Sequence, residues 1–244
     1  MPNQSQLTGD VMVAAQGIYS ESSTQLHAIG SYVETNDGRG YRYAKVGASA
    51  LAAGKLYQSR AEDTTNFQNL VVAANSVGDT TVTTTSTVTL TANQLAGGFL
   101  VIESGTTGAG FTYRIRSHPA ATAAVVTFTL DDPIVVATTG TVNIDVHPNP
   151  YDAVIIAPTT SSSAMAGFAV YNVTAAYFGW LCTHGPTAAL AQGTIVVGDD
   201  VVPAETTTAG AIGPRADATL SEVVGAALTG IASTDYGLIF ALID

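Results

Sequence analysis

The chain has 244 residues and a formal net charge of −11, with only 11% charged side chains against 46% apolar ones. That charged fraction is less than half the roughly 25% of an average soluble domain. Eight basic residues in so acidic a chain cannot neutralise a row of phosphates, which excludes a nucleic-acid binder, and a single cysteine excludes an intrachain disulfide framework.

The N-terminal stretch "MPNQSQLTGD" is polar and lacks a basic-then-apolar signal pattern, so synthesis in a reducing compartment is expected. Five of the eight basic residues follow within one short segment, Arg39, Arg42, Lys45, Lys55 and Arg60, which gives residues 1–66 the means to meet an acidic partner. Within it "ETNDGRGYRY" predicts a hairpin, with Asn-Asp-Gly supplying the positive φ angles of a tight turn. The best helix candidate of the whole chain is "ASALAAGKL", Ala48 to Leu56, and Gly54 interrupts it.

From there short strands and turns dominate. "TTVTTTSTVTLTANQL" alternates β-branched residues with a period of two. "FTYRIRSH", "AAVVTFTLDDPIVV" and "GTVNIDVHPNPYDAVIIAP" follow, each bounded by Gly, Pro, Asp or Asn. "SGTTGAGF" (Ser104–Phe111) is rich in glycine, but a strand follows it where a phosphate loop would feed a helix, so it reads as a hairpin tip. Pro158 and the "TTSSS" run read as a linker. Beyond it come "GFAVYNVTAAYFGWLC", "GTIVVGDDVVP" and the closing "DYGLIFALID". Both faces of that last strand are apolar, which predicts burial on both sides, one of them against another subunit, and "GLIFALI" is too short to cross a bilayer. The phrase Leu-Ala-x-Gly recurs at Leu51, Leu95 and Leu190 as a turn that launches a strand, its leucine pinned to the core.

The expected fold is all-β: two β-sandwich or small-barrel-like modules, 67–157 and 158–244, preceded by an extended N-terminal segment, 1–66. Which module the N-terminal segment completes is left open by the sequence.

Chemistry is sought first at "YFGWLCTHGP" (Tyr177–Pro186), which holds the lone tryptophan and the lone cysteine. On a strand, Cys182 and His184 share a face with Phe178 and Trp180. That setting raises a thiol pKa and leaves it inert, and no third residue orients the pair as a triad would. The reading is a core strand ended by His184 and Pro186. His27, His118, His147 and His184 follow no metal-ligand spacing. The acid pairs Asp131–Asp132 and Asp199–Asp200 read as solvated turn residues. No catalytic residue, cofactor or metal is expected.

Four stretches carry a resemblance: "HAIGSYVETNDGRGYRYAKVGASALAAGKLYQS" (His27–Ser59), "ANQLAGGFLVIESGTTGAGFTYRIRSHPA" (Ala92–Ala120), "AAYFGWLCTHGPTAALAQGTIVVGDDVVP" (Ala175–Pro203) and "VVGAALTGIASTDYGLIFALID" (Val223–Asp244). In these the chain resembles virion structural proteins of tailed bacteriophages, most of all the proteins that decorate the head. The resemblance implies a non-enzymatic cement protein on the outer surface of the capsid, made in the host cytoplasm, trimeric, and bound to the major capsid protein without contact to membrane or nucleic acid. On that footing residues 1–66 are expected to dock on the capsid through Arg39, Arg42 and Lys45. The trimer interface is expected at Tyr236, Leu238, Ile239, Phe240 and Ile243. The alternative is a tail- or fibre-associated host-binding protein, also β-rich.

Overall fold

The computed structural model describes residues 15–105, 107–140, 142–204, 207–215 and 222–244. Its elements in chain order are β1 (Tyr32–Glu34), β2 (Gly40–Lys45), β3 (Leu56–Gln58), α1 (Thr64–Phe67), β4 (Leu70–Val71), β5 (Thr81–Thr83), β6 (Val88–Leu90), β7 (Phe99–Ser104), β8 (Thr112–Ser117), β9 (Ala121–Ala124) and β10 (Thr127–Leu130). They continue with β11 (Asn143–His147), β12 (Ile155–Ile156), β13 (Met165–Ala169), β14 (Phe178–Leu190), β15 (Asp200–Pro203), β16 (Ile212–Pro214), β17 (Gly225–Ala227) and β18 (Tyr236–Leu242). The fold is all-β, with sandwich- or barrel-like modules built on curled sheets.

The chain divides into two compact units, residues 1–61 with 150–244, and residues 62–149. This differs from the expected three-part division. The N-terminal segment is not a separate arm: β2 pairs with β14 from Phe178↔Lys45 to His184↔Gly40, and so completes the sheet of the C-terminal module. Residues 150–157 also belong to that unit, because β12 pairs with β3 at Ile155↔Gln58 and Val154 bridges Val46. The "TTSSS" run, expected as an interdomain linker, lies inside the same unit, where Ser162 accepts a hydrogen bond from the Gln58 amide at 2.8 Å. The second unit is thus an insertion between two strands, β3 and β12, that pair with each other.

In the first unit the sheet runs β12-β3-β13-β14-β18-β17-β15-β16, with β2 on β14 and β1 on β2. One side carries a core of Tyr41, Tyr43, Phe168, Trp180, Cys182 and Ile239. The other side carries a smaller cluster of Leu51, Tyr57, Val154, Val173 and Leu181 under the loops that follow β2, β11 and β13. The second unit has a sheet β4-β11-β7-β8-β10-β5 and a separate pair β6-β9, around Leu95, Leu100, Ile115 and Phe128.

Local chemistry explains the turns. The β1–β2 hairpin forms as expected, but among Asn36, Asp37 and Gly38 only the glycine takes a positive φ, +80°. The Asp37 carboxylate accepts from the Thr35 hydroxyl and from Arg39 instead, closing the turn with side-chain bonds. The expected helix at 48–56 does not form. Gly54 sits at φ +76°, and Leu51 bridges Val173. Among the described residues the one helical turn starts elsewhere, at Thr64, where the Asp63 carboxylate accepts from the Thr65 and Asn66 amides. The three Leu-Ala-x-Gly phrases act alike only in part. Leu51, Leu95 and Leu190 are all buried, but the motif glycine takes a positive φ in two of them, at Gly54 and Gly193; in the second phrase the positive φ falls one place earlier, at Gly97.

Candidate functional site

The lone tryptophan and the lone cysteine of the chain, with His184, lie on β14. It runs for thirteen residues, through Pro186 rather than ending there. His184 pairs with Leu242, Pro186 with Phe240 and Leu190 with Tyr236 on β18. The register against β2 slips between Cys182 and His184, and Gly185 takes φ +91°. This bulge separates the two residues that sequence spacing placed side by side, because an extra residue reverses the face on which side chains fall.

Phe178, Trp180 and Cys182 point into the main core. The thiol is fully buried and donates to the His184 carbonyl at 3.4 Å. Burial pushes its pKa up to about 11, against lesser opposing effects of the Thr187 side chain and Arg39. The His184 imidazole lies on the other side of the sheet, edge-on to Phe240 with ring centroids 5.1 Å apart. Cys182 and His184 therefore do not form a nucleophile–base pair.

Around Trp180 the N-terminal segment is fastened by one side chain that the sequence reading passed over. Gln16 donates to the Phe178 and Ser20 carbonyls at 2.9 Å and accepts from the Tyr43 hydroxyl at 2.9 Å. Its backbone carbonyl accepts from the Trp180 indole at 3.1 Å. A lone glutamine before a glycine carries no sequence signal for that role. His118 holds a comparable post in the second unit. Its Nε2 accepts from the buried Leu95 amide at 3.0 Å, and its Nδ1 meets the Pro119 carbonyl at 2.9 Å. Among the described residues no three His, Cys, Asp or Glu side chains cluster as a metal site would require.

Arg39, Arg42 and Lys45 do not form one cationic patch. Arg39 is tied to Asp37 at 2.8 Å and lies over the Tyr41 ring. Arg42 points to the opposite side of β2, where it bonds Asp244 at 2.7 Å and the Gly30 carbonyl at 3.0 Å and lies 4.9 Å from the Tyr32 ring centroid. Lys45 stands at the far end of the strand near Asp152, whose carboxyl is raised by burial against the pull of Lys45 and Arg60. Two of the three cations are thus committed to carboxylates of their own chain.

The residues of β18 divide cleanly. Ile239 is fully buried in the chain's own core and cannot line a subunit contact, while Ile243 is half-buried and packs against the same core. Tyr236, Leu238 and Leu242 are 56%, 42% and 48% exposed, and Phe240 lies between them half-buried. The strand expected to be buried on both sides is therefore bare on one. The cross-strand pairs extend the bare surface: Ala188 beside Leu238, Pro186 beside Phe240, and Ala226 on the far side of Phe240. Leu228, whose amide donates to the Leu238 carbonyl, adds to it at 43% exposure. No charged side chain stands among these positions.

Polar groups border this strip. Beyond Leu242 and His184 a cleft of about 370 Å³ is lined by Tyr32, Glu34, Gly38, Arg42, His184 and Asp244. Beyond Ala226 stands Asp200, paired with Arg215 at 3.5 Å. Tyr236 lies across Gly54, where a Cβ would stand 2.6 Å from its ring, so the glycine sets the position of that tyrosine.

No family model, curated protein or solved structure matches this chain.

Proposed function

We propose that this chain is a non-enzymatic structural protein of a tailed-phage virion, which decorates and stabilises the capsid as a homotrimer bound to the major capsid protein. The location rests on the resemblance of four stretches to head-decoration proteins. The observation that carries the structural role is the bare, charge-free sheet surface on β14, β18 and β17. Cementing needs area and complementarity rather than reactive groups. A subunit held at several points gains avidity without a new contact chemistry. The buried Cys182 supports the same reading, since the one thiol of the chain is spent on packing.

A second reading, a tail- or fibre-associated protein that binds a host glycan, is favoured by the cleft beside Arg42. There the partly exposed Tyr32 ring offers a stacking surface next to carboxylates that accept from sugar hydroxyls.

The test is co-sedimentation of the purified full chain with expanded empty heads of the phage that encodes it. Saturable binding is expected. Heads that sediment free of the chain overturn the capsid assignment. Removing residues 1–45 is unsuited to this test, because β1, β2 and the Gln16 contacts are part of the first unit's sheet and core.

A further inference from the structure

We infer that the bare surface on β14, β18 and β17 is where one copy of this chain meets a second copy, by reversible packing of sheet on sheet. The inference deepens the self-association part of the proposed function and does not need the capsid location.

The first argument is the make-up of the surface. Leu228, Tyr236, Leu238, Phe240 and Leu242, with the small Pro186, Ala188 and Ala226 between them, form rows set by strand pairing. Ion pairs of both signs stand on opposite borders, Arg42 with Asp244 and Asp200 with Arg215. An apolar centre inside a polar rim is the anatomy of a protein–protein contact. The same side of the same sheet, at its other half, is covered by the chain's own Leu51, Val154 and Val173. The cover simply stops at β18.

The second argument selects the occupant. The strip offers no charge for a partner of opposite sign to match. A chain of net charge −11 repels its own copies at most of its surface. On the strip itself, like-charged copies meet without setting carboxylate against carboxylate. Two copies related by a two-fold axis can lay strip on strip at the usual spacing of stacked sheets, about 10 Å.

Size fixes the strength. Three strands about 4.8 Å apart over roughly four rows project about 350 Å² per copy. A standard stable interface uses about 800 Å² per partner. The strip therefore supports a concentration-dependent contact, which becomes persistent when copies are held side by side on a shared surface.

The experiment is sedimentation equilibrium of the full chain from about 5 to about 500 µM, the range in which weak contacts show. The wild type is expected to rise in mean mass with concentration. Leu238→Asp and Leu228→Asp alter exposed positions and are expected to weaken association by about tenfold or more, since each buries an unpaired charge in the contact. Native fluorescence of Trp180, the single tryptophan, certifies that each variant is folded. Wild type that stays monomeric to the highest concentration overturns the inference and points to a different protein as occupant. Folded variants that associate as the wild type does also overturn it. A rise in mass with no binding to heads would leave this contact standing and remove the capsid reading instead.

Discussion

Replacing Cys182 by serine tests the reading of β14 as packing rather than chemistry. The thiol has no exposed surface, and its hydrogen-bond acceptor is the His184 carbonyl at 3.4 Å. A serine hydroxyl keeps one donor for that carbonyl but brings stronger lone pairs into the cluster of Tyr41, Trp180 and Phe168. Burying a hydroxyl with partial compensation costs about 1–3 kcal/mol. At about 2–4 °C per kcal/mol for a chain of this size, Cys182→Ser should lower Tm by about 2–12 °C. The assay is thermal unfolding followed by Trp180 fluorescence, paired with thiol labelling. With its pKa pushed up to about 11, the native thiol is ionised in only about one molecule in ten thousand at pH 7, and reagent must wait for an opening of the core. Labelling of the native protein within tenfold of the rate in denaturant, or an unchanged Tm for Cys182→Ser, refutes the reasoning.

Alkaline pH probes the same group. The folded thiol pKa is raised above the ordinary value of 9.0, so its contribution to stability is complete below about pH 9 and is lost as pH climbs through about 11. Denaturant midpoints should fall over that window, and Cys182→Ala should flatten the part due to the thiol, leaving the part due to the buried tyrosines such as Tyr57. Gln16→Ala removes three side-chain hydrogen bonds and should destabilise the first unit by about 1–3 kcal/mol, read as an earlier Trp180 transition in urea. His118→Ala orphans the buried Leu95 amide at similar cost, but in the second unit, so far-UV circular dichroism should show a new early transition while the Trp180 transition stays in place. Residues 62–149, expressed alone, should give a dispersed amide NMR spectrum, since they hold their own sheet and core. A collapsed spectrum would contradict the division into two units.

How much of this was legible in sequence depends on which physical signal was local. The strands were, because β-branched alternation in segments such as 81–90 and 112–117 is a property of neighbouring residues. The all-β class followed from them. The insertion was not legible, because the pairing of β3 with β12 and of β2 with β14 joins residues roughly a hundred or more apart, and nothing in either strand names its partner. The linker expected at 158–163 failed for a related reason: serine and threonine fit a sheet connection as well as a domain boundary. The Cys182–His184 spacing misled because a bulge between these two residues breaks the period of two, and Gly185 just beyond it is only a weak warning of one. On β18 the sequence supplied two apolar faces. Only the packing shows that Ile239 and Ala241 face the chain's own core while Leu238 and Leu242 face away.

The measurement that bears most directly on the proposed role is immunogold labelling of phage particles from cells that carry the gene, imaged in negative stain with antibody against the purified chain. The account predicts gold over the head surface, present on intact particles and lost from particles of a deletion mutant. Gold confined to tails or fibres, or intact particles that carry none, contradicts it.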